Sequence, residues 1–271
     1  MQPLPNPFVQ SLVVFRFEFL KHAKSRKIIG SISISVAVSV LGFLSPELLG
    51  FENISSRTFL SFPLGVIHVF LVLIVTLSGS NSLNSEFTEK TGYSLFTNPV
   101  GKNSIWLGKF IASEIICFLM IALYFVILTI GTAIFYDQVP LEIFYSLIFS
   151  LVAITAYMGI TFFISSVFKG ATASAVFVFF LLLMIIPLID QMLIGVQEIK
   201  PWFSPTFSEQ IIENILIKPY PSDLDPGQIP RGPFDVHRFV PYVAESLLVL
   251  LCYAAVFGSL SLLFFQKREL A

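Results

Sequence analysis

The chain has 271 residues, of which 55% are hydrophobic and only 12% charged, with 30 phenylalanines and a net charge of -1; its mean hydropathy is +0.85. Soluble domains carry roughly 25% charged residues, so the composition excludes one and points to an all-α polytopic membrane protein. The net charge averages two opposed membrane surfaces, and no basic tract suggests a nucleic-acid partner.

In chain order, residues 8–22 form an amphipathic pattern, with Phe8, Leu12, Phe15 and Phe19 on one side and Gln10, Ser11, Glu18, Lys21 and His22 on the other. This interface helix is expected to lie along the inner leaflet, within a cytoplasmic segment spanning 1–27. Arg16 falls on the apolar arc and can snorkel to headgroups. Lys21, Lys24, Arg26 and Lys27 suit anionic lipid, or serve only to anchor the topology. The start has no basic n-region and no small-residue cleavage site, so it is expected to be retained.

A transmembrane helix needs roughly 20 largely apolar residues. Six stretches qualify, at about 28–44, 60–80, 104–136, 141–168, 172–193 and 240–265, which predicts a six-span domain over 28–265 and a cytoplasmic tail at 266–271. The first span contains SISISVAVSV, whose small residues suit close helix packing in lipid rather than a strand. The second carries His68, expected as a hydrogen-bonded packing residue rather than a ligand. The third reaches roughly 48 Å at the helical rise, so it is expected to protrude from the bilayer or to break near Gly131. Within it, Glu114 is the strongest candidate for a buried functional side chain, because a carboxylate at that depth is costly unless paired, protonated or facing water. It either bonds a Ser, Thr or Tyr of a neighbouring span or serves a substrate or gating role. Asp190 and Glu245 sit toward the outer ends of spans five and six, as interface markers or as the acidic lining of an exit vestibule.

Between spans two and three, Asn81 to Lys109 (NSLNSEFTEKTGYSLFTNPVGKNSIWLGK) is the long polar interruption on the inner face. Glu86 to about Phe96 can form a short helix: Asn84 or Ser85 supplies a cap, and Glu86 and Glu89 in its first turn favour the helix dipole. Asn98-Pro99 stops it and Gly101 permits a turn. The chain then returns to the membrane at Trp106, an interfacial aromatic, with Lys109 able to snorkel to the headgroups. A short helix held between two spans is a lever whose displacement tilts both; a merely solvated loop is the alternative. The outer loop, 194–239, is too rich in proline for one continuous helix. Between Pro205 and Pro219, TFSEQIIENILIK has a Thr206 to Glu209 capping-box spacing and apolar Ile211, Ile212, Ile215 and Leu216 at helical intervals. That predicts a short helix capping the outer face.

Sorting the basic residues by side sets the orientation. With both ends inside, the inner segments hold Arg16 and the cluster to Lys27, then Lys90, Lys102, Lys109, Lys169, Lys267 and Arg268, while the outer cations lie mostly on one long loop. Both termini and the 81–109 loop are therefore expected in the cytoplasm, in a multi-pass protein of the plasma membrane. No Gly-x-x-x-x-Gly-Lys-Ser/Thr phosphate loop occurs, so ATP-driven work requires another subunit. His22, His68 and His237 are too scattered for a metal site, and no Gly-x-Ser-x-Gly elbow is present. Cys117 and Cys252 lie in apolar runs as small hydrophobes. Neither a catalytic residue nor a metal nor a cofactor is expected in this chain, which is not an enzyme by itself.

The segment EKTGYSLFTNPVGKNSIWLGK resembles the cytoplasmic signature of type-two ABC exporter permeases: an acidic residue, a Gly, a hydrophobic segment, Pro, a polar stretch, then Gly-Lys opening the third span. The matching positions are Glu89, Gly92, Leu95, Pro99, Gly108 and Lys109. The likeness extends to the amphipathic amino-terminal helix, the six spans, Ser204-Pro205 in the outer insertion and the end Gln266-Lys267-Arg268-Glu269. It departs at Val100-Gly101, an uncharged pair ahead of Lys102 where many relatives place a basic residue directly.

The resemblance implies that the loop 81–104 holds a coupling helix, roughly Glu86 to Phe96, which docks on a separate cytosolic ABC ATPase subunit. Glu86, Glu89, Gly92, Leu95, Phe96 and Pro99 would carry that docking, with Trp106, Gly108 and Lys109 at the return into the membrane. It further implies ATP and Mg2+ on the partner, a second permease half (this chain or a paralogue), surrounding lipid and an exported substrate of open identity. The alternative from another class is a non-transporting membrane subunit that anchors or organises a larger complex through the same loop.

Overall fold

Backbone groups in lipid must be satisfied within the chain, which favours helices, and the computed structural model is helical between its turns; it describes residues 6–48, 55–80, 82–84, 101–223 and 239–267. Helix α1 (Pro7–Ala23) is capped by Asn6, whose side chain accepts from the Phe8 amide at 3.2 Å, with Pro7 in the first turn. It is followed by α2 (Arg26–Leu48), then α3 (Ser56–Gly65) and α4 (Ile67–Gly79), which meet at a 42° bend. Helices α5 (Lys102–Tyr136) and α6 (Glu142–Val167) are continuous. Helix α7 (Ala171–Phe180) runs through a π turn (Leu181–Ile185) into α8 (Ile186–Gln197). Two short helices, α9 (Pro205–Glu209) and α10 (Ile211–Asn214), precede α11 (Val243–Lys267).

The bundle is organised around α6. Of its most apolar stretch 67% is buried inside the chain, against 17% for the rod from α7 to α8 and 22% for α11, so those two rods present most of their surface outward. The broadest helix contact is that of α6 with α11. Gly159 permits it: a Cβ there would lie 3.3 Å from the Ala254 carbonyl oxygen and the Gly258 amide nitrogen, closer than side chains ordinarily stand to backbone.

The α3–α4 bend has a local cause. Pro63 lacks an amide proton and its ring crowds the preceding turn, and the helix gives way three residues later at Val66. The Pro63 carbonyl next to this break accepts from the buried Tyr124 hydroxyl at 2.7 Å. Tyr124→Phe would leave that carbonyl without this donor in an apolar setting, an expected loss of about 1–3 kcal/mol, read as a lower unfolding midpoint of the purified chain.

Several expectations change. Among the described residues, four rods (α5, α6, α7 to α8, and α11) are long and apolar enough to cross a membrane, or five if α3–α4 is one bent span. The first predicted span lies in α2, whose described apolar stretch, Ile32–Leu44, is shorter than that. The alternating SISISVAVSV is helical, as expected. Helix α5 does not break at Gly131; its 35 residues form one rod of about 52 Å, longer than a hydrocarbon core of ~30 Å. Gly131 instead admits the Phe43 ring of α2, where a Cβ would stand 2.4 Å from Cζ.

The outer insertion is corrected as well. Its cap is Ser204, with Pro205 as the first helical residue, and the helix is split at Gln210 into α9 and α10. Thr206 and Glu209 do not form a capping box, because both are buried and engaged with other helices.

Candidate functional site

The predicted docking residues Glu86, Glu89, Gly92, Leu95, Phe96 and Pro99 lie outside the described residues, but both flanks of that segment are described. On the far flank, α1 lies along the first turns of α5. Gln10 Oε1 accepts from the Gly101 amide at 3.0 Å, and the Ser104 hydroxyl donates to the Pro7 carbonyl at 3.1 Å. Gly108 makes this approach possible, since a Cβ there would stand 2.7 Å from both the Ser11 carbonyl oxygen and Val14 Cβ. At the next residue, Lys109 Nζ donates to Glu18 Oε1 at 2.5 Å, with the two side chains 1% and 11% exposed. Lys109 therefore does not snorkel to headgroups. It is enclosed, and its charge is matched by α1.

Trp106 is likewise buried against protein. Its indole N–H donates to Ser261 Oγ of α11 at 3.0 Å, and its ring stacks on Phe110 and meets the edge of Phe162 on α6. Lys102 Nζ donates to the Gln266 carbonyl at 2.9 Å and Gln266 Nε2 to Asn103 Oδ1 at 2.6 Å, which ties in the end of α11. The start of α5 is thus a clamp that holds α1 on one side and α11 on the other. Because desolvation offsets most of the attraction in a buried ion pair, the Glu18–Lys109 contact acts chiefly to fix the register of α1 on α5.

Helix α1 turns its polar stripe inward. Ser11 and Glu18, seven residues apart, are buried against α5, while Phe8, Leu12, Val13 and Phe17 are exposed. The Ser11 and Glu18 part of the polar side is covered by protein while Lys21 stays exposed, and the apolar Phe8 and Leu12 face outward.

On the near flank, the end of α4 is held too. The Ser165 hydroxyl of α6 donates to the Ser80 carbonyl at 2.9 Å, and the Ser113 hydroxyl of α5 to the Ser78 carbonyl at 3.3 Å. Next to Ser113, Glu114 accepts from Thr155 Oγ1 of α6 at 2.6 Å, the neighbour-span hydroxyl contact that the sequence allowed.

The opposite end of the bundle carries a second polar cluster. His68 Nδ1 lies 2.6 Å from Glu209 Oε2, His68 Nε2 lies 3.1 Å from the Leu182 carbonyl, and the Tyr157 hydroxyl donates to the same Glu209 oxygen. A carbonyl only accepts, so His68 carries a proton on Nε2. The π turn leaves that carbonyl available: the Ile186 amide bonds the Leu181 carbonyl, and the residue five after Leu182 is Pro187, which has no N–H. Asp190 on α8 accepts from Ser204 Oγ at 2.7 Å and from the Thr206 hydroxyl.

Helix α9 is in this way pinned to α4, α6 and α8. A cavity of 780 Å³ lies between it, the α3–α4 bend and α8. Asp190 lines this cavity, as the vestibule expectation allowed, whereas Glu245 is exposed on α11. Beyond α10, the Tyr220 hydroxyl donates to the Pro241 carbonyl at 2.5 Å. Burial and the nearby Asp223 push its phenol up to about 12, so it remains a donor across the physiological range. Among the described residues, no group of three or more His, Cys, Asp and Glu is placed to hold a metal ion.

A family model described as ABC-2 family transporter protein matches residues 12–270. The chain belongs to this family. It is accordingly a multi-pass membrane protein and a permease component of an ABC transporter. Comparison with curated proteins gives no match. The matched range of this ABC-2 chain begins inside α1 and runs to the end of α11, so it takes in most of the clamp and the whole outer cluster.

Three partners in these sites were not singled out from the sequence of the ABC-2 chain. Glu18 falls on the polar side of an amphipathic pattern and Glu209 at a capping-box spacing, and local pattern does not point to Tyr157. The available signal is a mismatch: a His and a Lys inside apolar segments each call for an acid, but sequence spacing does not point to Glu18 or Glu209, since Glu86, Glu89 and Glu114 lie closer to Lys109 along the chain.

Proposed function

We propose that this ABC-2 chain is one half of the membrane part of an ATP-driven exporter, with separate cytosolic ATPases acting on the loop between α4 and α5. In this reading α2, α3–α4, α5, α6, α7–α8 and α11 are six spans in the plasma membrane, with both termini in the cytoplasm. A second half, the same chain or a paralogue, completes the pathway. ATP and Mg2+ belong to the ATPase, since the chain has no phosphate-binding loop.

The observation that carries this reading is the anchoring of both flanks of the loop. The α4 end is bonded to α5 and α6, and the α5 start is bonded to α1 and α11. A displacement of the loop is delivered to several spans at once instead of being absorbed by one frayed helix end. Closure of the ATPases upon ATP would move Glu86 to Phe96, and the clamp would pass the motion to α1, α5 and α11.

The test is copurification with the cognate ATPase and measurement of stimulated ATP hydrolysis. Glu89→Lys combined with Gly92→Pro is expected to abolish both while the chain itself stays monodisperse. Complex formation and stimulation equal to wild type would remove the coupling assignment.

A further inference from the structure

We propose that the outward face of α1 is a docking surface for the anionic headgroups of phospholipids, and that this docking helps to seat α1 on the start of α5. Charge is the first support. Before Glu47 the sequence holds a single acid, Glu18, and that acid is turned inward and matched by Lys109 of α5. The side chains of Arg16, Lys21 and Lys24 are exposed and make no ion pair among the described residues. Helix α5, the main neighbour of α1, adds Lys102 and Lys109 before its first acid, Glu114, which is bonded to Thr155 of α6. The Glu18–Lys109 pair thus removes the negative charge of α1 from its outer surface and leaves three cations there.

A separate observation concerns where those cations stand. Leu12, Arg16 and Leu20 follow one another at four-residue steps, so they form one row along the helix, and Val13 and Phe17 run beside it. All five are exposed, as is Phe8 one turn before Leu12. Water disfavours such an apolar strip, and a hydrocarbon interior disfavours the guanidinium in its middle. The boundary between headgroups and acyl chains suits both: the apolar side chains sink into it, and Arg16 reaches the phosphates along its stem. A guanidinium binds phosphate through two parallel N–H bonds. Lys21 and Lys24 extend the cationic row toward the end of the helix.

The geometry ties this surface to the clamp. Helix α1 is held on its inner side by α5, through Gln10, Glu18 and the close approach at Gly108. A helix held between α5 and an anionic surface opens less often than one held by α5 alone.

The experiment measures hydrogen exchange of the full chain in nanodiscs of phosphatidylcholine alone and of phosphatidylcholine mixed with phosphatidylserine. Amides of α1 are expected to exchange roughly fivefold or more slowly in the mixed nanodiscs, the factor that one basic residue near an anionic surface supplies, with α6 unchanged. The difference should vanish at about 1 M salt, where the screening length is about 3 Å. Arg16→Gln combined with Lys21→Gln and Lys24→Gln is expected to remove it, whereas Lys169→Gln, at the exposed turn between α6 and α7, should keep it. The salt arm on the unmodified chain keeps the test decisive if the triple variant fails to fold. Equal exchange of α1 in the two lipids, an equal slowing of α6, or a difference that survives high salt or a monodisperse triple variant overturns the proposal. No ATPase takes part in the measurement, so its failure would be distinct from a failure of the coupling reading.

Discussion

Lys109→Met, made alone, is expected to destabilise the chain by about 3–5 kcal/mol, the usual penalty for leaving a buried charge without its partner. The enclosed Glu18 carboxylate has Lys109 Nζ at 2.5 Å, and the Lys side chain is 1% exposed, so water cannot readily take its place. Adding Glu18→Leu is expected to recover most of the loss, because two apolar side chains of similar volume often serve as well as a buried ion pair. Denaturant or thermal unfolding of the detergent-purified chain reads both effects. If the double variant proves as unstable as Lys109→Met, the defect lies in packing and the charge account is wrong.

The second large effect is expected at Gly108. Gly108→Val adds a branched side chain where even a Cβ would stand 2.7 Å from the Ser11 carbonyl oxygen and Val14 Cβ. Overpacking typically costs about 1–3 kcal/mol. The upper end applies here, because one of the crowded atoms belongs to the α1 backbone and cannot rotate away. The helix that yields is α1, whose outward residues Phe8, Leu12, Val13 and Phe17 are exposed and whose contacts among the described residues are chiefly with α5, while α5 is held from both sides. Hydrogen exchange should therefore show faster exchange in α1 with protection in α6 unchanged, and stimulated hydrolysis by a bound ATPase should fall. Unaltered exchange in α1 would show that the close approach at Gly108 is not what seats it.

Both predictions rest on residues that the sequence pattern located without saying what they do. Gly108 and Lys109 stand out as a Gly-Lys pair at the start of an apolar segment, and a cation there is readily read as a headgroup anchor. The structure assigns them a joint role instead: the missing side chain lets α1 approach, and the approach brings Glu18 to the cation. The same holds for His68. Its hydrogen-bonded role follows from its place in an apolar run, but its acceptor is a carbonyl released by a π turn next to Pro187, and its acid comes from an insertion 141 residues away. Periodicity is silent on such pairings, because it records which face of a helix is apolar and not which helix will cover the other face.

The sequence by itself determined the solvent and the class of this protein. An apolar content of 55% arranged in membrane-length runs allows little but helices, since lipid offers the backbone no hydrogen-bond partner. The order of motifs around the polar loop led to the ABC-2 family, which the match over residues 12–270 bears out. Only the tertiary structure decided which helix is central, that α5 passes Gly131 unbroken, that α1 turns Ser11 and Glu18 inward, and that Glu209 folds down onto His68. Each of these depends on atoms far apart in the chain meeting at van der Waals or hydrogen-bond distance. Such meetings are fixed by the packing of whole helices, which local sequence constrains only through the size and polarity of the faces it presents.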